Sequence, residues 1–263
     1  MTKTTQFKEK YGPYALIAGG SEGLGFAFAE AVAKRGLNLV LIARQEKRLM
    51  AAAERLQETY EVGVIPIAAD MAEFENVKKA IDALSVSIGL LVYNAAYAPI
   101  GYFEDLSDEQ LALAAEVNVK TPLRLAKHLS KSMIDKKRGG ILLMSSLSGG
   151  QGSAKIATYA ATKSFNAILA EGLWKELKPH GIDVLACVAG AILTPGYQKA
   201  ESGKPAPGVM AANKVAEKAL KALGRGPIVI PGIVNKIGRF VLTRVVSRKS
   251  AINLISKNTG GLS

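Results

Sequence analysis

The chain has 263 residues, a formal net charge of +12, one cysteine and two histidines. This length is sufficient to bury one large core, and no Pro/Ser-rich linker divides the sequence, so we expect a single domain over residues 1–263. No window of about 20 residues is free of charges and helix breakers, and residues 1–10 lack the apolar centre of a secretory signal, which together predict a cytoplasmic protein. Cys187 lies in the apolar run IDVLACVAG, which is typical of a buried thiol. With only two histidines besides, the sequence offers no spacing of ligands that would form a metal site.

Seven short apolar runs alternate with longer segments of helical spacing. In chain order they are YALIAGG, LNLVLIA, VGVIPIA, GLLVYNA, GILLMSS, IDVLACVAG and GPIVIPG. Strands separated by helices imply parallel crossovers, and strands this uniformly apolar are buried on both faces. The sequence therefore predicts a doubly wound α/β fold, with a seven-stranded parallel sheet and helices on both faces, as in Rossmann-like proteins.

The first apolar run breaks on a group of glycines, and an Ala-rich helical pattern follows directly. The glycines are Gly19, Gly20, Gly23 and Gly25. In the first strand-to-helix turn of such a fold, bare backbone N–H groups and the helix dipole bind a pyrophosphate. The alternative is a tight turn without a ligand, because glycines also serve turns that only reverse the chain.

Further motifs follow this turn. They are Asp70 after the third strand, NAA at Asn94–Ala96, Asn118 in VNV, Ser146, and YAATK with Tyr159 and Lys163. Together with AGGSEGLG from Ala18, they resemble the short-chain dehydrogenase/reductase superfamily over about residues 14–230. EKYGPYALIAGGSEGLG, ETYEVGV and IATYAATKSF are similar to its branch of NADP-dependent hydroxysteroid dehydrogenases and 3-oxoacyl-CoA reductases. Ala18 stands where the family usually has Thr. Ala96 and Ala189 replace a Gly and a Pro, and as both are small we expect only altered loop shape.

The resemblance implies an oxidoreductase that assembles as a homodimer or homotetramer, with a catalytic set of Asn118, Ser146, Tyr159 and Lys163. Asn118 would hold a water that links Lys163 to solvent, and Lys163 would also bind the nicotinamide ribose. The resemblance assigns cofactor contacts to Gly19, Ser21, Glu22, Gly23, Leu24, Gly25, Arg44, Asp70, Met71, Asn94, Ala95, Ala96, Tyr159, Lys163, Gly190, Ile192 and Thr194.

The chemistry of three of these residues also follows from their positions. Tyr159 and Lys163 are four residues apart on a predicted helix and share one face, where a lysine ammonium lowers the pKa of a phenol. Such a tyrosine donates a proton to a carbonyl oxygen as hydride reaches the carbon. Ser146, at the carboxyl end of the fifth strand, is placed to hydrogen-bond the developing alkoxide.

The end of the second strand, LIARQEKR, bears on the choice between NAD(H) and NADP(H). A site for NAD usually has an acid here that binds the ribose 2′-hydroxyl, but no acid occurs before Glu46. Arg44 would instead meet a 2′-phosphate, so we expect NADP(H). Alternatively, Arg44 only solvates the start of the next helix, since Glu22 adds negative charge nearby.

A Gly/Pro-rich segment, residues 190–207, follows the sixth strand, where a lid over the substrate would lie. The branch resemblance implies a bulky apolar ketone or alcohol. The candidate pocket walls are Ala98, Ile100, Leu147, Ala191 and Tyr197.

The basic charge is concentrated at the end of the chain, because residues 218–263 contain nine Lys/Arg and no acid. Apolar and basic residues recur there at helical spacing, as in a basic amphipathic helix within an extension from 232 to 263. They are Ile233, Ile237, Phe240, Val241, Val245, Arg239, Arg244 and Arg248. Such a helix has three possible roles: it lies peripherally on anionic lipid, it docks an acidic substrate such as a CoA thioester, or it packs on the domain or on another subunit. We expect the third, packing on the domain or on another subunit.

Two function classes are consistent with these features. The first is an NADP(H)-dependent oxidoreductase that interconverts a small-molecule carbonyl and a secondary alcohol. The second is a dinucleotide-binding sensor without turnover, since a fold does not dictate a function. The intact set of Ser146, Tyr159, Lys163 and Asn118 favours the enzyme, because a sensor needs no proton donor. No nucleic-acid-binding motif is present.

Overall fold

The computed structural model describes residues 3–194 and 207–259, without the side chains of Lys3 and Asn258. The strands are β1 Tyr14–Ala18, β2 Asn38–Ala43, β3 Val64–Ala68, β4 Ile88–Tyr93, β5 Gly139–Ser146, β6 Ile182–Ala189, β7 Ile192–Leu193, β8 Met210–Ala211 and β9 Ile228–Val229. All seven predicted apolar runs contain a strand, and only β9 is much shorter than its run.

The helices are α1 Lys3–Tyr11, α2 Gly23–Ala33, α3 Glu46–Tyr60, α4 Phe74–Asp82, α5 Asp108–Ala115, α6 Thr121–Asp135, α7 Ala157–Leu177, α8 Ala212–Ala222, α9 Ile233–Phe240 and α10 Arg248–Thr259. Single π-helical turns join α5 to α6 at Glu116–Lys120 and extend α9 at Val241–Val245. In the described part of the chain, no helix is long and apolar enough to cross a membrane.

The large sheet is entirely parallel and has the strand order β3-β2-β1-β4-β5-β6-β9. The chain moves outward from β1 to β3 and then returns to add β4 on the other side of β1. The strand order therefore reverses between β1 and β4, where the carboxyl ends of an open α/β sheet border a ligand crevice. The doubly wound fold predicted from the sequence is confirmed.

Side chains alternate between two core layers because successive residues of a strand point to opposite faces. One layer packs the sheet against α2, α3 and α8, with Ile17 and Leu41 fully buried. The other packs it against α4, α6 and α7, with Leu16 and Val40 fully buried. Cys187 is buried in the first layer, and burial raises the pKa of its thiol to about 12.

Helix α1, which the apolar pattern did not predict, joins the amino-terminal edge of the sheet through Tyr11. The Tyr11 hydroxyl donates to Asp183 Oδ2 on β6 at 2.5 Å, and Lys10 forms an ion pair with the same carboxylate. Burial and the neighbouring carboxylate raise the pKa of Tyr11, so the phenol stays a donor at neutral pH. The contact joins segments 172 residues apart in sequence.

We expect Tyr11→Phe to lower the free energy of unfolding by about 1–3 kcal/mol, because it removes a hydrogen bond to a charged group and keeps the ring. Urea unfolding followed by circular dichroism measures the change. Tyr102→Phe, at a half-exposed tyrosine, is the control and should leave the midpoint unchanged. Equal midpoints for Tyr11→Phe and the unmodified chain would show that this contact contributes no stability.

Candidate active site

The reversal of strand order opens a cleft of about 430 Å³ at the carboxyl ends of β1, β2 and β4. Its walls are Gly19, Ser21, Glu22, Gly23, Leu24, Ile42, Ala43, Arg44, Gln45, Ala69, Asp70, Met71, Asn94, Ala95, Ala96, Tyr97, Leu113, Val117 and Thr194. Most of the predicted cofactor contacts are therefore brought together on one surface. The apolar members from β2 and α5, such as Ile42 and Leu113, were missed, since core-like residues carry no sequence signal for a ligand.

The glycine turn between β1 and α2 requires the absence of side chains. Gly19 has a φ of +78°, and a Cβ there would lie 2.9 Å from the Ala95 backbone nitrogen. A Cβ on Gly25 would lie 1.7 Å from the Gly19 carbonyl oxygen, a severe overlap. Asn94 Nδ2 donates to that carbonyl at 3.1 Å and fixes the turn against β4.

The start of α2 fits the diphosphate of a dinucleotide. No side chain caps the helix, because the N-cap residue Glu22 makes no cap hydrogen bond and its carboxylate pairs with Arg48 at 2.9 Å. The first N–H groups of α2 therefore face the cleft without an internal acceptor, and the glycines leave room for phosphate oxygens. The ion pair also neutralises Glu22, whose charge was the argument against a phosphate nearby. Arg48 was not predicted.

Two charged side chains stand at the far end of the cleft, after β2 and β3. Arg44 is largely exposed, and its Nη1 lies 3.8 Å from Asp70 Oδ2, too far for a hydrogen bond. Asp70 Oδ1 accepts from the Ala72 backbone N–H at 2.9 Å, which fixes the carboxylate. Within the described residues, the Arg44 guanidinium therefore keeps its N–H donors available for an anion.

The structure brings Ser146, Tyr159 and Lys163 together at the carboxyl edge of β5. The Ser146 hydroxyl lies beside the Tyr159 phenol, where it acts to lower the pKa of that phenol. Lys163 is buried, its ammonium donates to the Met144 carbonyl at 3.2 Å, and Nζ lies 5.5 Å from the centre of the Tyr159 ring. Gly149 permits this packing, because a Cβ there would lie 2.7 Å from the Ser164 nitrogen on α7.

The pKa of Tyr159 does not follow the direction predicted from sequence. Burial raises it, and the hydrogen bond with Ser146 opposes the increase. Burial also lowers the pKa of Lys163 to about 8. The sequence correctly placed the two residues on one helix face, but it does not show how far that face is buried from water. The rise in the pKa of Tyr159 through desolvation exceeds the decrease expected from the Lys163 charge.

Asn118 lies in the π-helical turn between α5 and α6 and is fully buried. Its Oδ1 accepts from the Tyr97 backbone N–H at 2.8 Å, and its Nδ2 donates to the Tyr97 carbonyl at 2.6 Å and to Thr162 Oγ1 at 3.1 Å. The Asn118 carbonyl accepts from Asn166 Nδ2 at 3.0 Å. The Asn118 side chain thus joins the cleft wall to α7, the helix of Tyr159 and Lys163. Its predicted role of holding a water that links Lys163 to solvent stays a prediction.

The remaining predicted residues divide into two groups. Thr194 lies on the cleft wall near Gly23, as expected. Gly190 and Ile192 do not line the cleft: a Cβ on Gly190 would lie 2.6 Å from Asn235 Oδ1, and Ile192 pairs with Met210 in the small β7–β8 sheet. Gly25 acts through the turn rather than at the cleft surface. The candidate pocket walls Ala98, Ile100, Leu147 and Ala191 lie outside the cleft, and Tyr197 and most of the proposed lid lie outside the described residues.

Helix α10 is hydrogen-bonded to the connection between Ser146 and Tyr159. Arg248 Nη1 donates to the Gly150 carbonyl at 2.7 Å, and Ser256 Oγ accepts from the Ala154 backbone N–H at 3.0 Å. Buried Thr259 completes the contact, with its hydroxyl 3.0 Å from the Ala154 carbonyl and 2.9 Å from the Ser153 hydroxyl. These residues were not predicted as part of the site, because the contacts span about 100 residues of sequence.

Comparisons with known proteins agree with this geometry. A 7beta-hydroxysteroid dehydrogenase of Mediterraneibacter gnavus is 31% identical over 235 residues, covering 87% of this chain and 89% of the relative. A very-long-chain 3-oxoacyl-CoA reductase of Phaeosphaeria nodorum is 33% identical over 224 residues, covering 81% of this chain and 64% of the relative. The structure of a short-chain dehydrogenase from Sphingobium yanoikuyae in complex with NADPH superposes with a TM-score of 0.76 at 30% identity, covering 94% of each chain.

A family model described as short chain dehydrogenase matches residues 13–205, which is well over half of the chain. The resemblance that the motifs indicated is therefore confirmed, and the chain belongs to the short chain dehydrogenase family.

Proposed function

We propose that this chain is an NADP(H)-dependent oxidoreductase that interconverts a ketone and a secondary alcohol on a bulky apolar substrate. Family membership makes it an oxidoreductase acting on CH–OH groups with a nicotinamide dinucleotide. The proposal concerns the cofactor preference, the substrate class and the roles of individual residues. The observation that carries it is the placement of Ser146 and Tyr159 beside buried Lys163, in a region that Asn118 joins to a cleft that fits a dinucleotide.

In this scheme the nicotinamide supplies or accepts the hydride, and the chain's own residues manage the proton. Tyr159 donates its phenolic proton to the carbonyl oxygen during reduction and accepts it during oxidation. Its raised pKa keeps the phenol protonated at neutral pH, which suits reduction. The Ser146 hydroxyl stabilises the oxygen as negative charge develops, and Lys163 stabilises the phenolate that remains.

NADP(H) is favoured over NAD(H) by the charges beyond β2. No acid stands at the end of that strand, and Arg44 presents free donors in a position to pair with a 2′-phosphate. The relative from Sphingobium yanoikuyae, which is in complex with NADPH, supports the same choice. The cleft would hold the diphosphate at the start of α2 and the adenosine along the part of its wall that Arg44 and Asp70 form.

Two kinds of relative support a proposal for the substrate class. A hydroxysteroid dehydrogenase and a very-long-chain 3-oxoacyl-CoA reductase act on ketones or alcohols attached to large apolar groups. We therefore propose a ketosteroid-like or 3-oxoacyl substrate. A panel of ketones that differ in size, assayed by NADPH oxidation, tests this class, and preference for small polar ketones would contradict it.

We expect Tyr159→Phe to lower turnover by about 100-fold or more and to leave NADPH affinity nearly unchanged, because it removes only the proton donor. Stopped-flow turnover and fluorescence titration of NADPH give the two values. Tyr97→Phe is the matched control, since its ring lines the cleft and its hydroxyl has no part in the scheme. Near-normal turnover in Tyr159→Phe would show that another group supplies the proton.

The two directions of the reaction should respond oppositely to pH. Reduction needs the protonated phenol and a charged Lys163, so its kcat should fall as pH rises through about 8, where Lys163 loses its proton. Oxidation needs the phenolate, so its kcat should increase with pH. Profiles of kcat in both directions check this, and a reduction rate that increases with pH would contradict it.

We expect Arg44→Asp to weaken NADPH binding by at least about tenfold, ~1.4 kcal/mol, because a carboxylate would replace the cation facing the 2′-phosphate. NADH binding should change much less. Arg55→Asp, which makes the same charge change on α3 away from the cleft, controls for long-range electrostatics. Tighter binding of NADH than of NADPH by the unmodified chain would overturn the assignment before any variant is made.

A further inference from the structure

Helix α9 and the π-helical turn that follows it present large apolar side chains to solvent. Ile233, Val234, Ile237, Phe240 and Val245 are each between 52% and 70% exposed. The first four recur at positions i, i+1, i+4 and i+7, which places them on one side of the helix. We call these five residues the C-terminal apolar face. In water such a continuous surface invites association.

The opposite side of α9 fixes the helix to the protein through a polar residue. Asn235 is buried, and its Nδ2 donates to the Pro231 carbonyl at 2.9 Å and to the Gly208 carbonyl at 3.1 Å. The helix therefore buries a polar residue and points its large apolar side chains outward, the reverse of a helix that contributes to the core. Our expectation is that the apolar stripe packs on the domain or on another subunit. Packing on the domain is wrong for these side chains, packing on another subunit stays a prediction, and the face is exposed on this chain.

Cations surround the C-terminal apolar face. Lys236, Arg239 and Arg244 lie on the same stretch of helix, and among the described residues they form no ion pair. The chain has no Asp or Glu after Glu217, and the neighbouring segments 147–156 and 207–214 contain none. The potential over this surface is therefore positive, with no carboxylate of these described segments to balance it.

Exposed apolar side chains next to unpaired cations favour an anionic lipid surface over a second copy of the chain as the partner of this face. A two-fold contact with a second copy would place the positive rims of both copies against each other, which is unfavourable. An anionic lipid surface meets both requirements, because apolar side chains enter the boundary between headgroups and acyl chains while Lys and Arg meet lipid phosphates. We propose that the C-terminal apolar face binds peripherally to an anionic membrane surface. This proposal does not depend on the proposed reaction.

Sedimentation of the full chain with vesicles tests the proposal. At low salt, the chain should sediment with vesicles of phosphatidylcholine mixed with phosphatidylglycerol, and much less with phosphatidylcholine alone. Raising the salt concentration should release it. Removing cations in Arg239→Gln and Arg244→Gln should weaken binding about fivefold for each, which corresponds to ~1 kcal/mol per engaged cation.

Ile237→Glu and Phe240→Glu should abolish vesicle binding, because each places a carboxylate in the apolar face. Met50→Glu makes a matched change at a half-exposed apolar residue of α3 and should bind like the unmodified chain. Unchanged thermal unfolding and unchanged NADPH oxidation without vesicles would establish that the variants are folded. Since both substituted side chains are exposed, we expect both properties to be retained.

Three results would overturn the proposal. The first is no sedimentation with anionic vesicles at low salt, and the second is equal sedimentation of Phe240→Glu and the unmodified chain. The third is a decrease in oligomer mass in Phe240→Glu, measured by light scattering without lipid, which would identify the face as a contact between copies.

Discussion

The contact between Gly25 and the Gly19 carbonyl is the constraint on which the cleft depends. With no Cβ at Gly25, helix α2 starts directly behind the end of β1, and its first N–H groups reach the crevice where the strand order reverses. Asn94 then ties the turn to β4, the strand on the other side of that crevice. A methyl group at Gly25 would move the helix and the turn apart. The positions of the proposed diphosphate site and of the two strands that border it are thus set by one close approach of backbone.

Tyr159 and Lys163 on α7, the proposed catalytic residues, illustrate a second constraint, which is the cost of burial. Lys163 is buried and donates a hydrogen bond to the Met144 carbonyl, and the phenol of Tyr159 also lies in a low-dielectric environment. Both neutral forms are therefore favoured, so the pKa values of phenol and amine, which are similar in water, move apart: that of Tyr159 rises and that of Lys163 falls to about 8. Asn118 connects this region to the cleft through Tyr97 and Thr162. Substitution of Asn118 would therefore disturb both the cleft wall at Tyr97 and helix α7.

The sequence was sufficient for the features that local chemistry determines. Apolar residues on both faces identified the strands, glycine spacing identified the turn, and the four-residue separation placed Tyr159 and Lys163 on one helix face. It was not sufficient for features that depend on distant contacts. The direction of the Tyr159 pKa depends on packing around it, and Arg48 became relevant only through its pairing with Glu22. The orientation of α9 could not be predicted from its apolar spacing, because buried Asn235 decides which side faces inward.

The hydrogen bonds between α10 and the Ser146–Tyr159 connection couple the local unfolding of these two segments. Arg248, Ser256 and Thr259 supply side-chain partners to backbone groups of that connection, which lies mostly outside the regular sheet and helices. Local opening of α10 would therefore remove these side-chain partners from the Gly150 and Ala154 backbone groups and loosen the connection at the same time. We therefore expect the last helix and the connection between Ser146 and Tyr159 to open together, although about 100 residues separate them along the chain.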